Sequence, residues 1–423
     1  MTRHDSVSAA APAIAFRNEA LGILQTASDR TSKDPTQAAQ DESYWAEVRS
    51  AFDVEPNFLY FNNGGCCPSP RAVQDAMFAR LRLANRAPSF YLFREMDPQI
   101  EAVRKRLAPV FGCDPEEIAI TPNASESLFT AILGAPASAG DQFLVTDKDY
   151  PRVLTAFDQR KRRDGVKVTT VPIPWNPKNE DEIAEPIERL LVAKPKFLCF
   201  PQVSFLNGMR FPADRLCHAA RKHGVTVLVD GAHGIGHIED TAGSLECDMY
   251  ACSLHKWFLA PVGSGFLYVR KDRVKDIWPL FAADDTLDDN IRKFEQFGTR
   301  PTPIPLGLLE AIDAHEAIGT SRKAARLQYL RHHWTSQLGD HPKIRFHTPL
   351  DPKLSRALTT VEVVGLDLGK VSDWLLDKHQ IFTAAVVRDD VSGIRVTPQI
   401  YHSPTEVGRL VVALREAADH GIG

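Results

Sequence analysis

The strongest constraint on the fold is a regular alternation of short apolar segments with longer amphipathic segments in the middle of the chain. The apolar segments predict strands at Phe143–Thr146, Lys167–Val171, Phe197–Phe200 and Val225–Val229. The segments between them predict helices at Pro151–Asp164, Asp181–Val192 and Pro212–His223. Strands that alternate with helices in this way pair in parallel, with helices on both faces of the sheet. The chain has 423 residues, enough to bury a large core, so we predict an α/β fold.

The stretch from Val225 to Arg270 carries the main chemical signal. Asp230 follows the last of these strands, at the edge where ligands bind in open parallel sheets. Lys256 lies in a loop before a further apolar strand, Phe266–Val269. Alone, such residues are more often a helix cap and a solvated lysine. Together they match what pyridoxal phosphate (PLP) requires, because the lysine amine forms an imine with its aldehyde and the acid keeps its pyridine nitrogen protonated.

The residue motifs within this stretch favour the PLP interpretation over the structural one. Asp-Gly-Ala-His at 230–233, Ser-Leu-His-Lys at 253–256 and the glycine-rich segment up to Arg270 resemble the class V aminotransferase family of fold-type I PLP-dependent enzymes. The resemblance is greatest to its isopenicillin N epimerase-like branch, which is related to cysteine lyases and desulfurases. It implies a mostly parallel, seven-stranded-type sheet in a large PLP-binding domain at 57–300. After residue 300 the pattern of helices and strands changes, which predicts a smaller α+β C-terminal domain at 301–423. Residues 1–56 are predicted to form an arm and a short helix before the large domain.

The resemblance assigns several residues to the cofactor phosphate. Ala124 and Ser125 open a helix, and a helix N-terminus attracts phosphate through its free N–H groups and its dipole. Ser253 and His255 match residues that hold the phosphate around the lysine. Thr299 matches a threonine with which a second subunit touches the phosphate, which implies a homodimer with shared active sites.

Other residues are assigned to the cofactor ring. Tyr150 matches the position whose side chain stacks on the pyridine ring, and an aromatic ring suits that role. Asp230 holds the ring nitrogen, and Lys256 binds the cofactor and moves the substrate's α-proton. His233 matches a catalytic residue beside the phenolic oxygen. The resemblance implies no metal.

Two residues match the family's substrate contacts, and two positions depart from its pattern. Arg395 resembles the arginine that grips the substrate α-carboxylate bidentately, and Asn63 matches a second carboxylate contact. Phe205 stands where relatives commonly offer an asparagine to the cofactor oxygen, so that contact falls to His233 or Asn207. The segment 383–393 lacks the nucleophilic cysteine of the desulfurases. For Cys66 and Cys67, small buried side chains are the favoured interpretation.

These residues predict an enzyme that acts at Cα or Cβ of a small-molecule α-amino acid. A β-lyase that cleaves a C–S bond and an epimerase rank almost equally. Transamination remains an alternative, followed by a desulfurase-like enzyme without the usual cysteine. Two rivals have weaker support: a dinucleotide-dependent oxidoreductase, for which the glycines at 231, 234 and 236 are wrongly ordered, and a PLP-fold regulator without catalysis.

Composition limits the partners and the compartment. The formal net charge is −4 and 25% of the residues are charged, so nothing points to nucleic acid or an anionic membrane. No apolar run is long enough to span a bilayer and no signal peptide is convincing, so we expect a cytoplasmic protein. Seven thinly spread cysteines suit a reducing compartment. Residues 1 to about 40 are rich in small and polar side chains, and we expect them to be poorly ordered.

Overall fold

The computed structural model describes residues 19–388 and 391–423. Its strands are β1 (Leu59–Tyr60), β2 (Ile118–Thr121), β3 (Gln142–Thr146), β4 (Lys167–Val171), β5 (Phe197–Pro201), β6 (Thr226–Asp230), β7 (Met249–Ser253), β8 (Gly265–Val269), β9 (Ile344–Phe346), β10 (Thr359–Val363), β11 (Ile381–Phe382), β12 (Ala384–Arg388) and β13 (Val391–Val396). Its α-helices are α1 (Glu19–Arg30), α2 (Pro35–Gln40), α3 (Glu42–Ser50), α4 (Arg71–Ala84), α5 (Pro88–Phe90), α6 (Ile100–Phe111), α7 (Ala124–Gly134), α8 (Pro151–Asp164), α9 (Asp181–Leu191), α10 (Ala213–Lys222), α11 (Ala242–Leu245), α12 (Pro303–Leu306), α13 (Leu308–Ile318), α14 (Thr320–Leu338), α15 (Leu368–His379) and α16 (Pro404–His420). Within the described ranges, no helix is both long and apolar enough to cross a membrane.

A seven-stranded sheet forms the centre of the described chain, in the order β2-β8-β7-β6-β5-β3-β4. β8 runs antiparallel to both of its neighbours, and the other neighbouring strands are parallel. Successive side chains of a strand point to opposite faces. Accordingly, Leu198 and Phe200 of β5 enter one apolar core, whereas Phe197 and Cys199 enter the other. The prediction of a mostly parallel sheet covered on both faces is confirmed.

The sheet order places the two key loops side by side. β6 and β7 are parallel neighbours, so their carboxyl ends lie at the same edge. β6 ends at Asp230, and the loop after β7 carries Lys256 before the chain returns in β8. Residues far apart in sequence therefore meet at one edge of the sheet.

The C-terminal part contains a second, antiparallel sheet with the order β12-β13-β10-β9. Side chains from α14, α15 and α16 share an apolar core with this sheet. β1 pairs in parallel with β11, so the chain near residue 60 joins this part rather than the seven-stranded sheet. The domain limits at 57 and 301 stay a prediction, and the β1–β11 pair joins segments on opposite sides of the limit at 301.

The expectation of a poorly ordered segment up to about residue 40 is wrong for the described part of it. Residues 19–40 form α1 and α2, and residues 1–18 lie outside the described ranges. Leu24 and Ala27 of α1 are buried in one cluster with Trp45 and Ile318. The segment is polar on average, but these two side chains share a face of the helix and are stabilised by tertiary packing.

Candidate active site

A cavity of about 300 Å³ lies at the carboxyl edge of the central sheet. Of the predicted site residues, it is lined by Ala124, Ser125, Tyr150, Asp230, His233, Ser253, His255, Lys256 and Arg395. The remaining lining residues are Gly64, Gly65, Asn123, Leu128, Phe205 and Ala232. A larger depression of about 690 Å³ near Trp278 contains none of the predicted residues, so chemistry rather than size identifies the site.

Asp230 is a buried carboxylate at the base of the cavity. The N–H of Ala232 donates to its Oδ1 at 3.0 Å. Burial raises the pKa of Asp230, while this N–H and the nearby Lys256 act in the opposite direction. A carboxylate can accept several hydrogen bonds, so Asp230 retains acceptor capacity for a protonated ring nitrogen. Such a cation would favour the ionised form of Asp230.

Lys256 and His233 face each other, with Nζ and Nε2 3.2 Å apart. Burial lowers the pKa of Lys256 to about 8, and Arg395 also lowers it, although Asp230 opposes the shift. The neutral fraction of the amine near physiological pH is therefore much larger than in an ordinary lysine, and a nucleophile or base must be neutral. Burial, together with Lys256 and Arg395, holds the pKa of His233 well below its usual value.

The N-terminus of α7 forms the end of the cavity assigned to phosphate. The N–H of Ala124 donates to Oγ of Ser253 at 2.9 Å, and Asn123 caps the helix by accepting from the N–H of Glu126. His255 contacts the Ser264 carbonyl through Nδ1 at 3.2 Å, and burial lowers its pKa to about 4. N–H groups, hydroxyls and an imidazole are groups that bind phosphate, so the residues present fit this part of PLP.

A glycine in β8 lets α7 approach the sheet at this point. A Cβ on Gly265 would lie 2.8 Å from Cα of Asn123 and 2.5 Å from the Cys252 carbonyl oxygen. Both atoms belong to the backbone, which cannot move aside easily. A side chain at position 265 would therefore displace the N-terminus of α7 from the cavity.

Arg395 lies in β13 and lines the cavity. Its Nη1 donates to the Phe205 carbonyl at 3.1 Å and its Nη2 donates to Oδ1 of Asn62 at 2.9 Å. Its Nε is buried and has no hydrogen-bond partner among the described residues. Burial lowers its pKa, and neither of these two partners is an anion. A partly buried guanidinium without an anionic partner is stabilised most by pairing with a carboxylate.

Asn63 is predicted to touch the substrate, but the structure does not bring its side chain into the cavity. Its Nδ2 donates to the carbonyls of Tyr60 and Thr397, and its Oδ1 accepts from the Tyr401 hydroxyl at 2.6 Å. The amide is therefore engaged in joining parts of the backbone. The preceding residue, Asn62, contacts Arg395 instead.

The two aromatic residues of the cavity pack against each other. Tyr150 and Phe205 meet edge to face, with their ring centroids 5.2 Å apart. Asn207 is buried and donates to the carbonyls of Trp175 and His347, outside the cavity lining. Of the two residues considered for the cofactor oxygen, only His233 lines the cavity.

Thr299 and the paired cysteines lie apart from the cavity lining. Thr299 is exposed and borders a second cavity of about 230 Å³, formed with Phe281, Phe297 and Ile304. The preference for two buried cysteines is right for Cys67 and wrong for Cys66, which is exposed. Neither cysteine lines the main cavity.

Sequence reasoning misses the residues that support His233. The indole Nε1 of Trp257 donates to Nδ1 of His233 at 3.1 Å, and the ring of His237 stacks on Trp257. The position of Trp257 next to Lys256 is a signal that could have drawn attention to it. Gly234 and Gly236 allow close packing here, since a Cβ at either would collide with Gln202 or with the Trp257 backbone.

A comparison with protein families decides the identity of the fold and site. The family model described as class V aminotransferase matches residues 59–389, well over half of the chain. The chain belongs to the class V aminotransferase family. This family is PLP-dependent, so the predictions of the family, of PLP as its cofactor and of an enzyme are confirmed.

Individual relatives of this class V family member agree with the assignment. The isopenicillin N epimerase of Amycolatopsis lactamdurans is 31% identical over 391 residues, covering 88% of this chain and 98% of the relative. The hercynylcysteine sulfoxide lyase of Schizosaccharomyces pombe is 26% identical over 298 residues, covering 67% of this chain and 75% of the relative. A solved structure of a C-DES mutant with glycine covalently linked to its PLP cofactor has a TM-score of 0.78 at 23% identity, covering 88% of this chain and 99% of the C-DES chain. This structural similarity confirms the fold-type I architecture.

Proposed function

We propose that the protein is a PLP-dependent enzyme that removes the Cα proton of a small-molecule α-amino acid. The observation that carries this proposal is the presence of three complementary groups in one cavity. These are a lysine amine with a lowered pKa, a buried strand-end carboxylate, and Arg395 with an unpartnered Nε. Bound PLP would supply an electron-accepting ring that stabilises the electron pair left at Cα.

Several residues of the cavity would bind the cofactor. Ser125, Ser253, His255 and the N-terminus of α7, which Ala124 begins, would hold the phosphate. Asp230 would hold the ring nitrogen as a cation, and preorganised charge of this kind is typically worth about 10²–10³ in rate. Tyr150 would cover a face of the ring.

Lys256 and Arg395 act on the substrate. Lys256 would hold the aldehyde end of PLP through Nζ, and its amine would take the Cα proton of the bound substrate. Arg395 pairs with the substrate carboxylate and so fixes which bond at Cα faces the base. His233 contacts Nζ and orients it.

Two fates of the deprotonated substrate have support. Epimerisation requires a proton donor besides the lysine. Tyr150 supplies one in the same cavity, and the isopenicillin N epimerase matches this chain over nearly its whole length. Loss of a sulfur substituent from Cβ needs no second donor at Cα, since Lys256 suffices, and the match to a sulfoxide lyase favours it. The sequence has no cysteine after Cys252, which disfavours the desulfurase route.

The deciding experiment screens the purified protein against α-amino acids and cysteine conjugates. Solvent deuterium at Cα, inversion of configuration, pyruvate, ammonia and sulfide are followed together. We expect deuterium incorporation with at least one substrate, and its absence from all of them contradicts the proposal. Tyr150→Phe should reduce inversion by about 10²-fold or more while leaving elimination intact.

The cofactor assignment has a direct chemical test. Borohydride reduction followed by peptide mass spectrometry should place PLP on Lys256, and Lys256→Ala should lose the linkage. Lys275→Ala is the control, because Lys275 is exposed and remote from the cavity lining. An adduct on another lysine would refute the assignment.

We also propose a homodimer, in which Thr299 of each chain contacts the cofactor phosphate of the other. Its exposure and its position outside the main cavity support a role towards a second chain. The exposed Phe281 lines the same small cavity as Thr299. The exposed Val262 is next to Gly263, which also lines that cavity. We propose the cytoplasm as the location, which agrees with seven unpaired cysteines.

A further inference from the structure

The hydrogen bonds around His233 determine which of its ring nitrogens carries a proton. The indole Nε1 of Trp257 lies 3.1 Å from Nδ1 of His233, and an indole N–H can only donate. Nδ1 must therefore accept, and it carries no proton. Because burial holds the pKa of His233 well below its usual value, the ring is neutral and its single proton is on Nε2.

This tautomer limits the state of the catalytic lysine. Nε2 of His233 is 3.2 Å from Nζ of Lys256. An Nε2–H group can donate to a neutral amine, which has a lone pair. It cannot donate to an ammonium group, which has none. A protonated Lys256 would instead place two donors against each other in a buried site.

We propose that Trp257 is a positioning residue that fixes His233 as the Nε2–H tautomer and thereby favours the reactive, neutral form of Lys256 over its ammonium form. This inference rests on the proposed function, in which Lys256 is the group that binds PLP. It assigns Trp257 a task that acts through His233, without contact to the substrate or cofactor.

The surroundings of Trp257 hold the indole in place. The His237 ring stacks on it with centroids 3.8 Å apart and planes 10° apart. Nε2 of His237 accepts from the N–H of Ala357, so its Nδ1–H donates to the His233 carbonyl. Nζ of Lys323 donates to the Trp257 carbonyl at 2.9 Å. Ring, indole nitrogen and carbonyl of Trp257 are thus each fixed by a separate contact.

Other charged and titratable groups also act on this pair. Those that affect the pKa of Lys256 are Asp230, Arg395, Cys252 and Cys66, and those that affect His233 are Lys256, Arg395, His237 and His255. A Trp257→Phe substitution changes none of them. It removes the indole N–H and keeps an aromatic ring beside His237. The His233 proton can then move to Nδ1, and Nε2 can accept from an ammonium group.

The test measures how fast the PLP-free full-length chain forms its covalent linkage to added PLP between pH 6 and pH 10. In that step the Nζ nitrogen bonds to the aldehyde carbon and one water leaves, and the visible absorbance reports it. We expect the wild-type midpoint near pH 8, the pKa to which burial lowers Lys256. In Trp257→Phe it should rise by about one pH unit, which makes the rate at pH 7 about tenfold lower and leaves it recoverable at high pH. Trp334→Phe is the matched control, since that indole is equally buried but belongs to the C-terminal core.

The outcomes are distinguishable. If wild-type protein forms no linkage at Lys256, the proposed function fails. If the linkage forms and folded Trp257→Phe keeps the wild-type midpoint, the tautomer inference fails. If Trp257→Phe does not fold, nitrogen-15 NMR of histidine-labelled wild-type protein decides, with the His233 signal assigned through His233→Gln. A proton on Nε2 supports the inference, and a proton on Nδ1 overturns it.

Discussion

At the scale of single residues, Arg395 is the side chain proposed to select substrates that carry a carboxylate. A charge-assisted bond to a carboxylate is worth about 1.5–3 kcal/mol. Arg395→Lys should therefore lower kcat/KM about 10- to 150-fold, because an ammonium group cannot reproduce the planar fork. Steady-state kinetics on the best substrate measures this. Arg345→Lys, on an exposed residue of the same sheet, should have no effect, and a fully active Arg395→Lys would remove the carboxylate assignment.

Lys323 allows a test of stability at the same scale. It is fully buried, and burial lowers its pKa to about 7 from 10.5. Between these pH values the unfolded chain binds a proton that the folded protein does not, so this residue makes the free energy of unfolding rise with pH, by up to about 1.4 kcal/mol per unit. The destabilisation is complete below pH 7 and disappears above pH 10.5.

Lys323→Met should therefore raise the free energy of unfolding, relative to wild type, most at low pH. The difference in unfolding free energy between the two proteins should shrink by about 1.4 kcal/mol per pH unit from pH 7 to pH 10. Urea unfolding at several pH values measures it, with the exposed Lys275→Met as control. A difference that does not vary with pH would show that Lys323 titrates normally.

At the scale of secondary-structure elements, α1 stabilises the molecule through a few buried side chains. Leu24 is fully buried in the cluster that also contains Trp45 and Trp257. Leu24→Ala should cost about 2–5 kcal/mol, from lost burial and the cavity left behind. The exposed neighbour Gln25→Ala should change stability by less than about 0.5 kcal/mol. Equal urea midpoints for the two variants would mean that α1 does not contribute to the folded core.

At the scale of the whole molecule, the proposed homodimer predicts that two inactive variants regain activity when they form mixed dimers. Lys256→Ala removes the lysine, and Thr299→Asp places a negative charge where the partner's phosphate should bind. A mixed dimer contains one site with both native residues. Refolding the two variants together should therefore recover up to about a quarter of wild-type activity if chains pair at random.

Sedimentation at the assay concentration supplies the control for this experiment. It should show a dimer for wild type and for both variants. Mixed chains that stay inactive although they form dimers would place Thr299 outside the partner's site. An active monomer would refute the shared site altogether.

The sequence by itself determined most strands of the central sheet and the residues of its chemistry, although it did not predict β7. Strands buried on both faces appear as continuous apolar runs, so β3, β5 and β6 could be predicted to within about one residue. The edge strand β4 is more polar and more exposed, and its β-branched residues predicted it. The motifs around Asp230 and Lys256 are local, and a strand-end position places them at the ligand-binding edge whatever the rest of the chain does.

Only the tertiary structure decided which side chains meet across the molecule. In the turn after β1, Asn62 rather than Asn63 reaches Arg395, because the pairing of β1 with β11 and the contacts to Thr397 and Tyr401 fix the direction of each side chain. The helices formed by residues 19–40 are stabilised by packing against distant helices rather than by local helix propensity. The Trp257–His233 bond joins the ends of different strands, and its control over a proton follows from burial and donor geometry, which no local pattern encodes.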